Sequence, residues 1–88
     1  MEFNSTSELR KMNPQEVYEF VKTLPQIGAV KNNWRQRHVS VHQHPTMEDT
    51  VITIGLPFNN PSDPIICVEE KEDYTRAINM YPEMEIYN

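Results

Sequence analysis

The hydrophobic pattern predicts an α+β domain, a small antiparallel sheet with helices packed on one face. Two segments carry apolar residues at helical spacing. Between them lie one stretch that alternates at period two, one rich in β-branched residues and one short apolar run. Prolines stand at most of the places where one pattern gives way to the next, which marks sharp boundaries between elements.

The elements follow in order. Residues 1–12 are polar, with Ser5 and Glu8 at capping-box spacing, so this segment is either flexible or a short helix near 6–11. Asn13 can cap the next helix, Pro14 suits its first turn and Glu16 completes a capping box. Val17, Phe20, Val21 and Leu24 then form one apolar stripe, and Pro25 ends it, predicting a helix over 14–24 with Gly28 in the turn beyond. From Arg37 to His42 the valines point one way and His38, Ser40 and His42 the other, as a half-buried strand requires. A turn at 46–49 leads into Thr50–Leu56, rich in β-branched residues, and the two strands read as a hairpin. The segment 58–64 is a loop by composition, and 65–69 reads as a third strand. Glu69, Glu70, Glu72 and Asp73 crowd the start of a last helix, where its dipole favours negative charge. Tyr74, Ala77, Ile78 and Tyr81 form its apolar stripe. The tail at 84–87 alternates, so the three-stranded sheet becomes four-stranded if the tail pairs at an edge. The expected order is (α)α-β-β-β-α, one domain over 1–88, with two or three helices covering one sheet face.

Composition narrows the function classes. With 38% apolar residues among 88, there is room for one thin core, which dimerisation would supplement. One cysteine, Cys67, cannot form an internal disulfide and fits a reducing compartment. The start of the chain lacks the charged and apolar regions of a secretory signal, and no apolar run is long enough to span a bilayer, so a cytoplasmic location without membrane contact is expected. The net charge of −5 is unevenly spread. Residues 1–44 hold six basic side chains against four acidic ones, and residues 45–88 hold two against nine. A chain so divided can present opposite charges to a partner or to a second copy of itself.

Four groups of residues bear on chemistry. His38, His42 and His44 precede Glu48 and Asp49, which are metal-ligand types. His38 and His42, however, stand roughly 13 Å apart along a straight strand, too far to share an ion, so no metal or other cofactor is expected. Lys31–His38 combines cations, amides and an aromatic; Trp34, Arg35 and Arg37 are types enriched at binding hot spots, and His38 closes the segment. Trp34 is equally at home in a core. The acidic patches at 69–73 and 83–85, with Glu70 and Asp73 as contact candidates, can meet a basic partner or imitate a phosphate backbone. Cys67 lies among apolar neighbours that favour an unreactive thiol. With two glycines, no glycine-rich phosphate loop is available.

A small non-catalytic protein-binding domain is therefore expected, a regulator or inhibitor that occupies a macromolecular partner. Its size and charge match the compact acidic inhibitors that phages direct at host machinery, by analogy only. The candidate contacts are Trp34, Arg35, Arg37, His38, His42, His44, Glu70 and Asp73. The alternatives are a homo-oligomeric structural subunit and a nucleic-acid-binding module built on Trp34, Arg35 and Arg37, the latter disfavoured by the net negative charge.

Overall fold

In the computed structural model, which describes residues 6–80 and 84–86, the chain runs α1 (Thr6–Leu9), α2 (Pro14–Val21), β1 (Gln26–Asn32), β2 (Arg37–Gln43), β3 (Thr50–Pro57), β4 (Ile65–Glu70), α3 (Lys71–Met80) and β5 (Met84–Ile86). Side chains are described over 7–77. The Ile78/Tyr81 half of the last helical stripe and the patch at 83–85 therefore lie outside the described side chains, as do residues 1–5 of the N-terminal segment.

Local chemistry sets α2. Asn13 is extended, and its Oδ1 accepts from the N–H groups of Gln15 (2.9 Å) and Glu16 (3.4 Å). Two of the donors that a helix start leaves unsatisfied are thereby paired. The helix closes three residues before the expected Leu24. Thr23 N–H and Leu24 N–H donate to Phe20 and Val21 three residues back, a tightened last turn. Pro25 disfavours helical geometry at the residue before it, which explains the early end.

The four long strands form an antiparallel meander, and β5 pairs with β1, giving the order β4-β3-β2-β1-β5. The tail thus adds an edge strand. One long strand went unanticipated: β1 occupies Gln26–Asn32, where Gly28 had suggested a turn. Its register slips between Gln26 and Gly28, a bulge of the kind glycine favours within strands.

The two sheet faces differ. Ile52 and Ile54 of β3 pack with Leu9, Val17 and Val21, with Leu56, Ile66 and Val68 around them. This is the dry core, covered by α1 and α2. On the other face Val39, Thr53 and Cys67 line a hollow together with Tyr74 and Ala77 of α3. The helices therefore do not all share one face, contrary to expectation. β4 and β5 are opposite edges, so the chain between them must cross the sheet, and α3 does so over the face that α1 and α2 leave uncovered. Five strands at about 4.8 Å spacing make a sheet roughly 19 Å wide, and a ten-residue helix spans about 15 Å of it.

Candidate functional site

The β1–β2 connection is a four-residue tip, 33–36, built by side-chain and backbone bonds. Asn32 Oδ1 accepts from Arg35 N–H at 2.9 Å, an Asx-type turn. Gln36 takes a φ of 54°, the left-handed region that side chains other than Gly and Asn rarely adopt. Its carbonyl accepts from Phe58 N–H at 2.8 Å, tying the tip to the end of β3. The same end of the sheet thus carries the tip and the 58–64 loop.

Trp34 stands on this tip and is 65% exposed, so it is a surface residue and not part of the core. The Arg35 guanidinium lies 4.9 Å from its ring centroid, in cation–π range. Phe58, also exposed, is tilted against His38 at 4.7 Å, with Lys31 Nζ 5.9 Å from its ring. Lys31, Arg35 and Arg37 make this end locally basic. Glu48, Asp49, Glu70, Glu72 and Asp73 belong to the opposite end, roughly 20 Å away at strand rise.

The hollow opens beside this surface. It holds about 200 Å³ and is lined by Val30, Val39, Ile65 and Ala77 on its apolar side. Its polar side includes Asn32, Arg35, Arg37, Thr53, Glu69 and Tyr74. Arg37 lies across Gly55: a Cβ on that glycine would stand 3.0 Å from Arg37 Cδ and 3.8 Å from Nη1. Glycine is what lets the side chain lie flat on the strand. Arg37 Nε is buried and has no hydrogen-bond partner among the described residues.

Electrostatics follow from this crowding. Burial pushes the Cys67 thiol up, Glu69 adds to the shift, and Arg37 opposes it. A thiol held protonated is a weak nucleophile. Burial, and then the Asp73 carboxylate, raise the Glu69 carboxyl above the usual range. Burial followed by Glu69 raises Tyr74.

The eight sequence-derived contact residues divide into three groups. Trp34, Arg35, Arg37 and His38 gather at the basic end. Glu70 and Asp73 lie at the acidic end, where Asp73 and Glu72 both pair with Arg76 at 3.6 and 3.1 Å. His42 and His44 are each 4% exposed, which withdraws them from any surface a partner can touch. His42 Nδ1 is 3.1 Å from the Leu24 carbonyl, which only accepts, so this nitrogen carries the proton. Its Nε2 meets the Ser40 hydroxyl at 3.0 Å. His44 Nδ1 accepts from Thr46 N–H at 3.1 Å and Met47 N–H at 3.0 Å, so its proton sits on Nε2. His38, Ser40 and His42 share the face of α2, because His42 pairs with Ile52 and His38 with Leu56. The valines of β2, not the histidines, face the hollow.

Sequence reading missed Phe58, Asn32, Thr53, Gly55, Glu69 and Tyr74 as a set. A glycine inside a run of β-branched residues is the one signal that pointed there, since it marks close approach of another group. Among the described residues, no three His, Cys, Asp or Glu side chains are placed to hold a metal ion. No helix among them is long and apolar enough to cross a membrane. No family model, curated protein or solved structure matches the chain.

Proposed function

We propose that this chain is a small, non-catalytic binding domain that regulates or inhibits a protein partner by occupying an acidic surface on it. The observation that carries the reading is Trp34, 65% exposed on a hydrogen-bonded tip with Arg35 stacked on it. An aromatic held out in water by a braced loop loses little freedom when it docks, and Trp and Arg dominate binding hot spots. Lys31, Arg35 and Arg37 beside it favour a negatively charged partner. The acidic far end orients the approach by repulsion. The single half-buried thiol suits action in a reducing compartment.

Affinity capture with the wild-type chain and with Trp34→Ala tests this. A stoichiometric protein recovered by the first and lost by the second supports the reading, and equal recovery by both refutes it. A second reading, single-stranded nucleic acid stacked on Trp34, draws on the same Trp–Arg pair. Salt-sensitive gel-shift of an oligonucleotide that disappears with Trp34→Ala selects it instead. Self-association through the β4 or β5 edge is the third, and sedimentation as a monomer at micromolar concentration dismisses it.

A further inference from the structure

The hollow between α3 and the sheet carries polar groups beside its apolar wall, and those polar groups are unequally satisfied. Asn32 and Thr53, which line it, are 6% and 8% exposed. Arg37 presses its stem on Gly55 and leaves Nε buried without a partner among the described residues. The ion pairs found among the described residues join Arg76 to Glu72 and Asp73 on α3, and Arg37 has no part in them. A buried guanidinium N–H without an acceptor carries a desolvation cost that an anion reaching the group would offset. Two arginines and Glu69 line the hollow, leaving one net positive charge when all three are ionised. That balance is matched by a monoanion, whereas a dianion such as a phosphate monoester would leave one negative charge uncompensated in the hollow. Val30, Val39, Ile65 and Ala77 offer an apolar wall. The volume of about 200 Å³ is smaller than the roughly 300–1,000 Å³ typical of drug-sized ligands.

We infer that the hollow is a binding site for a monocarboxylate with a short apolar body, its carboxylate paired with Arg37 and its body against Val30, Val39 and Ile65. The carboxylate is either that of a free small acid or that of an Asp or Glu side chain on a partner; the chemistry is shared. Arginine forks match carboxylates in geometry, and a charge-assisted bond is about twice as strong as a neutral one. The site shares Arg35 and Arg37 with the Trp34 surface and goes beyond it, and its test reads Arg37 and not Trp34.

The test is an NMR titration that follows the Arg37 Nε–H resonance and the amides of Thr53 and Gly55. The probes are isobutyrate, its uncharged isostere isobutyramide, and aspartate blocked at both backbone ends. Isobutyrate should give a saturable shift at these groups with a Kd in about the millimolar range, as expected for so few atoms. Isobutyramide should give none. Arg37→Gln should weaken isobutyrate by about tenfold or more, the worth of a charged hydrogen bond. Gly55→Ala, which crowds the same guanidinium, should weaken it too and serves if the first variant fails to fold. Tighter binding of blocked aspartate than of isobutyrate assigns the site to a partner side chain, and the reverse order assigns it to a free acid. The inference is overturned by no saturable shift in the wild type, by equal shifts with isobutyramide, or by unchanged affinity in a folded Arg37→Gln. Because the readout is Arg37 itself, this result and the capture experiment on Trp34 can fail independently.

Discussion

Alternate residues of β3 meet two different environments. Ile52 and Ile54 point into the apolar layer under α1 and α2, whereas Thr53 and Gly55 point into the hollow crossed by α3. On the first side the polar groups that are buried are also satisfied: His42 reaches Leu24 and Ser40, and His44 takes two backbone N–H groups. On the second side Arg37 keeps a buried Nε with no partner among the described residues. The contrast teaches where stability and binding reside. Close-packed apolar surface and paired polar groups hold the sheet to its first helices, and the other face retains an unmet electrostatic demand that a ligand can answer.

The largest expected effect separates the faces directly. Ile52→Ala empties a fully buried site and should lower unfolding free energy by about 2–5 kcal/mol. Thr53→Ala, one residue along, removes two side-chain atoms at a buried position bordering the hollow and should lose less, about 1 kcal/mol. Equal losses in urea titrations would abolish the distinction drawn between the faces. Next in size is His44→Ala, which leaves two loop N–H groups without their acceptor and should cost about 1–3 kcal/mol. An unchanged denaturation midpoint would show that solvent replaces the ring freely.

Arg37→Met tests the unmet demand from the stability side. Methionine keeps the stem over Gly55 and removes the unpaired charge, so the melting temperature should hold or rise. A loss beyond about 1 kcal/mol would mean the guanidinium is paired and stabilising. The smallest effect concerns pH. Burial and Asp73 raise the Glu69 carboxyl, so the folded chain keeps this proton at pH values where the unfolded chain has released it. Stability from this group is therefore full below the ordinary carboxylate value, declines as pH rises through the raised one, and stays lower above it. The residue is exposed overall, so solvent screening keeps the decline small. Glu69→Gln should flatten that part of the stability–pH curve, and an identical curve would place the carboxyl in water.

Much of the site was readable, but in separate pieces. Trp34, Arg35, Arg37 and His38 were recognisable as one cluster because Trp, two Arg and a His sat within five positions. The same local logic failed for His42 and His44. Their spacing suggested an exposed face, and burial depends on α2 arriving above that face. Phe58 and Lys31 share a surface because Gln36 bonds to Phe58 across 22 residues, a pairing no local pattern encodes. β1 was missed because Gly28 reads as a breaker, and only its partner strand shows that it marks a bulge.

By itself the amino-acid order determined the start of α2, the strand period of β2, the β-branched run of β3, the third strand and the helix after it. Each of these rests on caps, prolines and spacing within a dozen residues. Tertiary structure decided which of two alternating sets on each strand became the dry face. Alternation produces both sets, and which of them is covered depends on where each helix packs in the folded chain. Pairing of β5 with β1, at the edge away from β4, sends α3 across the second face. That crossing, not any motif, brings Arg37, Glu69 and Tyr74 to one hollow.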